Sequence, residues 1–258
     1  MPEFSLIIPT YNRKEVLIKT LSQIKNTYPE AEIIIVDDAS SDGTDKAISR
    51  LFGKSVIYLR NEKTQGKGFS LRKGFKEAKG QYLIFTDDDL PYGLKSIELI
   101  LSELKKGEPV IIGERTYFND NFVKKIGRLV FSAFIKPLLG IKIRDTQAGI
   151  KGFENTQGKK LFALSFINRF AIDLEIIYLC QHFRIPIQTI PVSVINKNPR
   201  FAQNLVSRFA RNKNPRFAQN LVSRFARNKI SSHFSWKNFI EIAFDVLKIR
   251  LHKYPHEN

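Results

Sequence analysis

The sequence predicts an α/β fold built on a doubly wound, mostly parallel sheet. Short, wholly apolar segments alternate with segments whose apolar residues recur at helical spacing, the pattern of strands buried on both faces joined by crossover helices. Polar residues follow directly after the apolar segments, and open sheets of this kind bind ligands beyond the carboxyl ends of their strands. The length of 258 residues suits one α/β domain with a full core and an appendage.

The elements can be assigned in order along the chain. The predicted strands are residues 4–9, 32–36, 56–59, 82–85 and 110–112. Apolar residues at helical spacing predict a crossover helix over residues 16–24. A second helix is expected to start near Thr44, and a third to open at Gly66-Lys67-Gly68 and continue to Ala78. Strand and helix therefore alternate, as in a doubly wound sheet.

Charged and amide side chains collect where these strands end. They are Asp37, Asp38, Asn61, Lys67, Asp87, Asp88 and Asp89. We expect them to converge on one edge of the sheet, because parallel strands share that edge. Asp87 and Asp89 are the predicted ligands of Mn²⁺ or Mg²⁺, since hard carboxylate oxygens suit these ions together with substrate phosphates. The alternatives are a solvated acidic turn at 87–89 and helix-capping carboxylates at 37–38.

Composition constrains the partners and the compartment. The net charge is +17, which predicts an anionic partner such as a phosphorylated substrate or an anionic membrane surface. Nucleic acid is not expected, because no recognition motif accompanies the charge. Cys180 is the single cysteine, which favours a reducing compartment. We see no transmembrane segment and no signal peptide, so we expect a cytoplasmic protein.

Residues 196–211 recur without change at 212–227; a recent natural duplication and an artificial one would look the same. Each copy predicts a basic amphipathic helix that begins after an Asn-Pro pair, and residues 236–251 predict a further one. Such helices lie naturally in the interface of an anionic membrane. The alternative is that they pack on the catalytic domain or between subunits.

Several motifs carry a resemblance to a known family. The segments at residues 5–11, V-D-D-A-S-S-D-G-T at 36–44, G-K-G at 66–68 and D-x-D at 87–89 resemble family 2 glycosyltransferases of the GT-A fold. R-D-T-Q-A-G-I-K at 144–151 and F-A-I-D-L-E at 170–175 are similar to dolichyl-phosphate glucosyltransferases, and dolichyl-phosphate mannose synthases share the plan. The resemblance covers about residues 3–195 and 231–254. Pro91 stands where mannose synthases usually carry glutamine.

The resemblance implies roles for individual residues. Pro9, Tyr11 and Asp38 would contact the base and ribose of a nucleotide-sugar donor, with Asp37 assisting. Asp88 lies between the two metal ligands on the donor side. Lys67, between two glycines at a helix start, can meet a donor phosphate as a point charge while backbone N–H groups approach it closely. Gln147 would be a polar active-site contact, or alternatively a buried hydrogen-bonding residue.

The roles predicted for Arg115, Arg128 and Asp145 rest on the chemistry of these residue types together with the resemblance. Arg115 and Arg128 could hold an acceptor phosphate in fork geometry, although Arg128 could equally be solvated or membrane-facing. Asp145 would be a general base if the acceptor were a hydroxyl. A lipid phosphate is already largely ionised at neutral pH, and Asp145 would then position the substrate or a structural arginine, which we favour. Asp173 and Glu175 resemble a family pair, or cap a helix.

The resulting expectation is an inverting, metal-dependent glycosyltransferase. It would transfer a hexose from a nucleotide sugar (UDP-glucose favoured, GDP-mannose next) to polyprenyl or dolichyl phosphate, peripherally on the cytoplasmic face of a membrane. Asp89, Arg115, Asp145 and Gln147 would form its catalytic set. Residues 1–195 would be the catalytic domain, 196–229 the basic repeat and 230–258 the membrane-associated helix. The alternatives are transfer to a sugar or lipid hydroxyl, and a non-catalytic nucleotide-sugar-binding protein.

Overall fold

The computed structural model describes residues 1–116, 136–195 and 236–255. Its strands are β1 (Phe4–Thr10), β2 (Glu32–Asp37), β3 (Ile57–Arg60), β4 (Tyr82–Thr86), β5 (Val110–Arg115), β6 (Ile150–Glu154) and β7 (Gln188–Val192). Its helices are α1 (Lys14–Thr27), α2 (Thr44–Phe52), α3 (Lys67–Glu77), α4 (Gly93–Lys105), α5 (Asn155–Leu164), α6 (Ile172–His182) and α7 (Trp236–Leu251). Gly53–Ser55 is a short 3₁₀ helix and Lys136–Leu138 a single helical turn.

The seven strands form one sheet in the order β3-β2-β1-β4-β6-β5-β7. Strands β1 to β4 pair in parallel, β6 runs antiparallel to both β4 and β5, and β5 pairs in parallel with β7. The predicted α/β class is confirmed, and the five predicted strands are present. Strands β6 and β7 were not predicted.

Alternation of side chains along the central strands explains why the apolar segments are continuous. Leu6 and Ile8 of β1 face a core with α1, α2 and α4, whereas Ile7 faces a second core with α3, α5 and α6. Ile84 of β4 and its neighbour Phe85 divide in the same way. Both faces of the sheet are therefore covered by helices, as the lack of polar alternation predicts.

The C-terminal helix α7 belongs partly to this core. Val246 and Ile249 are fully buried, and Ile242 and Ala243 pack against the α3–α5–α6 layer. One face of α7 therefore packs on the sheet domain, as the packing alternative predicts. Residues 196–235, which include the tandem repeat, lie outside the described ranges.

Candidate active site

The carboxyl ends of β1, β2, β3 and β4 meet at one edge of the sheet. Thr10 of β1 is in register with Asp37 of β2, and Asp37 with Arg60 of β3. The acidic segment after Thr86 begins at the same edge, since β4 pairs in parallel with β1. The predicted convergence of these strand ends is therefore present in the fold.

The two aspartates after β2 hold the surrounding loops together. Asp37 is fully buried and accepts hydrogen bonds from Ser40 N (2.8 Å), from Arg60 Nη1 (2.9 Å) and from the Tyr58 hydroxyl. The burial of Tyr58 and this contact raise the pKa of its phenol. Asp37 is thus a buried counter-ion, and its proposed assistance at the base stays a prediction.

Asp38 ties the loop after β3 to the edge of the sheet. One carboxylate oxygen accepts from Asn61 Nδ2 (2.9 Å) and Gln65 N (2.8 Å), and the other from Gly66 N (2.8 Å). Asn61 is buried and also donates to the Ser70 hydroxyl. Asp38 and Asn61 therefore meet as predicted. Their contacts with a nucleotide base, like those of the half-exposed Tyr11 and of Pro9, stay predictions.

The Gly66-Lys67-Gly68 segment begins α3 as predicted, but its glycines serve another purpose than expected. The amides of Gly68 and Phe69 donate to the carbonyl oxygen of Asn168, at 2.7 and 3.2 Å. A Cβ on Gly68 would lie 2.2 Å from the Ile167 carbonyl oxygen. The amides of Gly66, Gly68 and Phe69 therefore already have acceptors within the protein, which contradicts the expectation that the glycine amides approach a phosphate. The contact of the Lys67 ammonium with a phosphate stays a prediction.

The three carboxylates after β4 have different surroundings. Asp88 is buried, accepts from the Thr10 hydroxyl (2.8 Å) and pairs with Arg13 Nη1 (3.0 Å). Burial raises its pKa to about 6, although Arg13 and Thr10 act in the opposite direction. Asp89 pairs with Arg13 Nη2 at 3.2 Å. Arg13, which the sequence analysis did not single out, therefore fixes two of the three carboxylates.

Asp87 is the most open of the three, with 37% of its side chain exposed. Its Oδ1 lies 3.1 Å from Lys67 Nζ. A Cβ on Gly149 would stand 1.9 Å from Asp87 Oδ2, so the glycine leaves the space that this carboxylate needs. Burial lowers the pKa of the Lys67 ammonium, but the carboxylates of Asp173 and Asp87 outweigh it and the pKa is raised.

Behind Lys67 lies a buried ion pair. Lys151 of β6 is fully buried and donates to Asp173 Oδ1 (2.5 Å) and to the Ala148 carbonyl oxygen (2.9 Å). Asp173 Oδ2 lies 3.5 Å from Lys67 Nζ. Burial alone would raise the pKa of Asp173, but the two lysines lower it.

Asp173 and Glu175 do not cap α6, so that interpretation is wrong. Asp173 pairs with lysines, and Glu175 accepts from the amides of Phe166 and Ile167, both at 2.9 Å, and from the Tyr254 hydroxyl at 2.8 Å. Glu175 therefore anchors the loop that contacts the start of α3.

Arg115 and Asp145 form a bidentate ion pair at the end of β5. Asp145 Oδ2 accepts from Arg115 Nε (2.6 Å) and from its backbone amide (3.1 Å), and Oδ1 from Arg115 Nη2 (2.8 Å) and Gln147 N (3.2 Å). Burial would raise the pKa of Asp145, but the bonds from Arg115 outweigh it and the pKa is lowered. Both carboxylate oxygens are engaged, which agrees with a positional role.

Gln147 is exposed, so its alternative reading as a buried hydrogen-bonding residue is wrong. Its role as an active-site contact stays a prediction. Arg128 lies outside the described residues, and its predicted contact with an acceptor phosphate stays untested.

The residues at the β4 end fit a divalent metal ion. Asp87 and Asp89 offer hard carboxylate oxygens, and the pairing of these two acids with Lys67 and Arg13 shows that this edge accepts positive charge. Among the described residues no group of three or more carboxylates, histidines or cysteines is arranged to hold a metal. Mg²⁺ is nonetheless usually held by only one or two protein carboxylates, and substrate phosphates and water supply its other ligands.

Sequence reasoning missed Arg13, Lys151 and the link between Asp173 and Lys67. Lys151 did carry a signal, because it is a lone charge in the apolar segment Ala148 to Phe153. A lysine in such a segment needs a buried partner. Arg13 carried none, since its partners lie more than 70 residues away.

The fold is that of GT-A glycosyltransferases. Mannosyl-3-phosphoglycerate synthase from Rubrobacter xylanophilus superposes with a TM-score of 0.59 at 13% identity, covering 93% of this chain and 80% of that one. Glucosyl-3-phosphoglycerate synthase from Mycobacterium tuberculosis, solved with UDP, gives a TM-score of 0.57 at 17% identity over 76% and 72% of the two chains. The predicted GT-A fold is therefore confirmed.

The model of the family described as Glycosyl transferase family 2 matches residues 5–170, and the chain belongs to this family. A dolichyl-phosphate beta-glucosyltransferase of Dictyostelium discoideum is 30% identical over 73% of this chain and 65% of its own length. A dolichol-phosphate mannosyltransferase of Pyrococcus furiosus is 32% identical over 63% of this chain and 49% of its own length. The chain thus spans between about half and two thirds of these relatives, and the predicted resemblance is confirmed.

Proposed function

We propose that this protein is an inverting glycosyltransferase that moves a hexose from a nucleotide sugar to a polyprenyl (dolichyl) phosphate. The single observation that carries the proposal is the edge of the sheet beyond β4, where Asp87 and Asp89 follow the strand and Lys67 of α3 lies 3.1 Å from Asp87. Family membership and the similarity to a dolichyl-phosphate beta-glucosyltransferase support it. That similarity also favours UDP-glucose as donor, with GDP-mannose next.

Asp87 and Asp89 would hold Mn²⁺ or Mg²⁺ together with the donor diphosphate. When bound, the ion supplies Lewis-acid stabilisation of the departing nucleoside diphosphate. Lys67, which already lies against Asp87, would bind the same diphosphate as a point charge. A similar protein of this fold was solved with Mn²⁺ and UDP, which agrees with this donor chemistry.

Arg115 would bind the acceptor phosphate, joined by Arg128. The carboxylate of Asp145 fixes the Arg115 guanidinium by two parallel bonds, a geometry that orients the remaining N–H groups. The phosphate oxygen is the nucleophile and is already ionised at neutral pH. Because both Asp145 oxygens are engaged, Asp145 as general base for a hydroxyl acceptor is disfavoured.

We further propose that the protein works at a membrane surface, with residues 1–195 catalytic and the segments after them serving membrane association. On α7, Phe244, Leu247 and Leu251 are 61%, 46% and 78% exposed and recur at helical spacing on a face distinct from the packed one. Lys248 and Arg250 lie beside them, which suits an anionic lipid surface. In the described ranges, the helices lack the length and apolarity that crossing a bilayer requires.

Two substitutions test the metal-dependent donor chemistry. Asp87→Asn and Asp89→Asn should each remove turnover that depends on Mn²⁺ and on added polyprenyl phosphate, while the unfolding temperature stays near that of the unsubstituted protein. Glu98→Gln, an exposed acid on α4, is the matched control and should leave turnover unchanged. Full turnover in both aspartate variants would overturn the metal assignment.

Membrane association has its own test. Phe244→Ser with Leu247→Ser, and separately a deletion of residues 212–227, should each weaken co-sedimentation with vesicles that contain anionic lipid. The control is Leu51→Ser, which changes a half-exposed leucine of α2. Unchanged sedimentation in both test variants would assign these helices to packing.

A further inference from the structure

We propose that Asp173, held in place by Lys151, is a positioning residue that keeps Lys67 at the donor end of the sheet. This inference rests on the proposed function, in which Lys67 binds the donor diphosphate. Neither Lys151 nor Asp173 is expected to touch donor or acceptor. They would act through the orientation of the Lys67 ammonium.

Four side chains of alternating charge run from the interior to the site edge. Lys151 Nζ contacts Asp173 Oδ1 at 2.5 Å, Asp173 Oδ2 lies 3.5 Å from Lys67 Nζ, and Lys67 Nζ lies 3.1 Å from Asp87 Oδ1. Both lysine nitrogens also lie 5.3 Å from the centroid of the Phe85 ring. The Lys67 ammonium is therefore held between an interior and an edge carboxylate.

Stability alone gives no reason for this arrangement. Lys151 and Asp173 are both buried, and Lys151 Nζ lies over the ring of Phe85. Replacement of a buried ion pair by apolar side chains of similar volume is often neutral or stabilising, whereas loss of one partner is strongly destabilising. A pair that could be replaced by apolar residues without loss of stability requires another explanation, and the contact with Lys67 supplies one.

Two carboxylates, those of Asp173 and Asp87, lie against the Lys67 ammonium, so its position depends on both. The start of α3 is fixed by the Asn168 carbonyl oxygen, so the Lys67 side chain alone decides where its ammonium lies. Asp87, the proposed metal ligand, is already the nearer of the two acids, at 3.1 Å against 3.5 Å, and without Asp173 it would be the one of the two that is left to pair with Lys67. Lys67 would then neutralise Asp87 fully and compete with the metal, which should weaken nucleotide binding and raise the metal concentration that binding requires.

The test measures binding of UDP and of GDP by calorimetry over a range of Mn²⁺ concentrations. The variant replaces the pair together, Lys151→Met with Asp173→Leu. We expect an unfolding temperature close to that of the unsubstituted protein and an affinity for the bound nucleotide lower by about tenfold or more, the scale of one charge-assisted hydrogen bond. Half-saturation by Mn²⁺ should shift to higher concentration.

Two further variants make the result specific. Cys180→Ala removes a buried side chain from the same helix and should lower stability without changing nucleotide affinity. In a Lys67→Met background the pair replacement should change nucleotide affinity no further, because the pair acts through Lys67. Lys151→Met with Asp173→Asn, which keeps the size of residue 173 and leaves no buried charge without its partner, repeats the test if the first double replacement does not fold.

Each outcome decides a different claim. Nucleotide affinity and metal dependence equal to those of the unsubstituted protein, in a folded pair variant, would make Lys151 and Asp173 structural and overturn the inference. A loss of affinity that persists in the Lys67→Met background would overturn it as well. If the unsubstituted protein binds neither nucleotide, the proposed function itself fails.

Discussion

Replacement of Asp145 by asparagine separates a positioning aspartate from a general base. In the folded protein this carboxylate accepts hydrogen bonds from Nε, Nη2 and the backbone amide of Arg115, and it is almost completely buried. Asparagine keeps the size but offers one oxygen and no charge. Arg115 would lose its bidentate partner and its fixed orientation.

The loss of unfolding free energy expected for Asp145→Asn follows from the exposure of Asp145 and Arg115. Removing one member of a fully buried pair costs about 3–5 kcal/mol, and an exposed pair is worth about 0–1 kcal/mol. Because 28% of the Arg115 side chain is exposed, we expect a loss of about 2 kcal/mol of unfolding free energy, between these limits. For a domain of this size that lowers the unfolding temperature by roughly 4–8 °C.

Turnover distinguishes the two roles through a double-mutant cycle with Arg115→Ala. If Asp145 acts only by orienting Arg115, Asp145→Asn lowers kcat no more than Arg115→Ala does, and the double variant resembles Arg115→Ala alone. Glu114→Gln breaks the neighbouring Glu114–Arg144 pair, 4.0 Å long and with Arg144 70% exposed, and should leave both stability and kcat nearly unchanged. A larger loss of kcat in folded Asp145→Asn than in Arg115→Ala would refute the positional role.

Three further predictions concern the scaffold around the site. Gly68→Ala should lower the unfolding free energy by about 1–3 kcal/mol, measured by denaturant titration, because the new Cβ meets the Ile167 carbonyl oxygen at 2.2 Å. Tyr254→Phe should cost about 1–2 kcal/mol in the same assay, because buried Glu175 loses the hydroxyl that donates to it at 2.8 Å. The lowered pKa of Asp145 stabilises the folded state above the ordinary aspartate pKa of about 3.9, and this contribution is lost as the pH falls below that value. The acid side of the stability curve should therefore be flatter in Asp145→Asn.

Simple controls accompany these three predictions. Ser49→Ala, at an exposed helical position, reports the effect on stability of an alanine that meets no neighbour. Tyr11→Phe reports the loss of the hydroxyl of a half-exposed tyrosine. A more stable Gly68→Ala variant would show that the loop at Ile167 moves away from the new Cβ without any loss of unfolding free energy. Parallel acid curves for Asp145→Asn and the unsubstituted protein would contradict the ion-pair account of that carboxylate.

Features that depend on the local pattern of residues could be predicted from the sequence. Wholly apolar segments gave β1, β2 and β4, because a strand buried on both faces leaves no polar alternation. The parallel pairing of these strands then brings Asp38 and Asp87 to the same edge. The start of α3 at Lys67 also followed from its flanking glycines.

Features that depend on contacts between distant segments could not be predicted in this way. Strand β6 contains a lysine and a glycine in its short span, and only pairing with β4 and β5 makes it a strand. The glycines beside Lys67 suggested backbone amides close to a phosphate. In the fold the amide of Gly68 instead donates to the carbonyl oxygen of Asn168, 100 residues further along the chain. Lys151 likewise acquires its partner Asp173 only through packing of α6 on the sheet.

The most direct test of the proposed function is transfer of labelled sugar from UDP-glucose and from GDP-mannose to a short polyprenyl phosphate, with Mn²⁺ or Mg²⁺ and with EDTA. We predict a lipid-extractable product from one donor, UDP-glucose first, that EDTA abolishes. A folded protein that forms no product from either donor in the presence of lipid and metal would contradict the proposed reaction. A product formed equally well in EDTA would contradict the role assigned to Asp87 and Asp89.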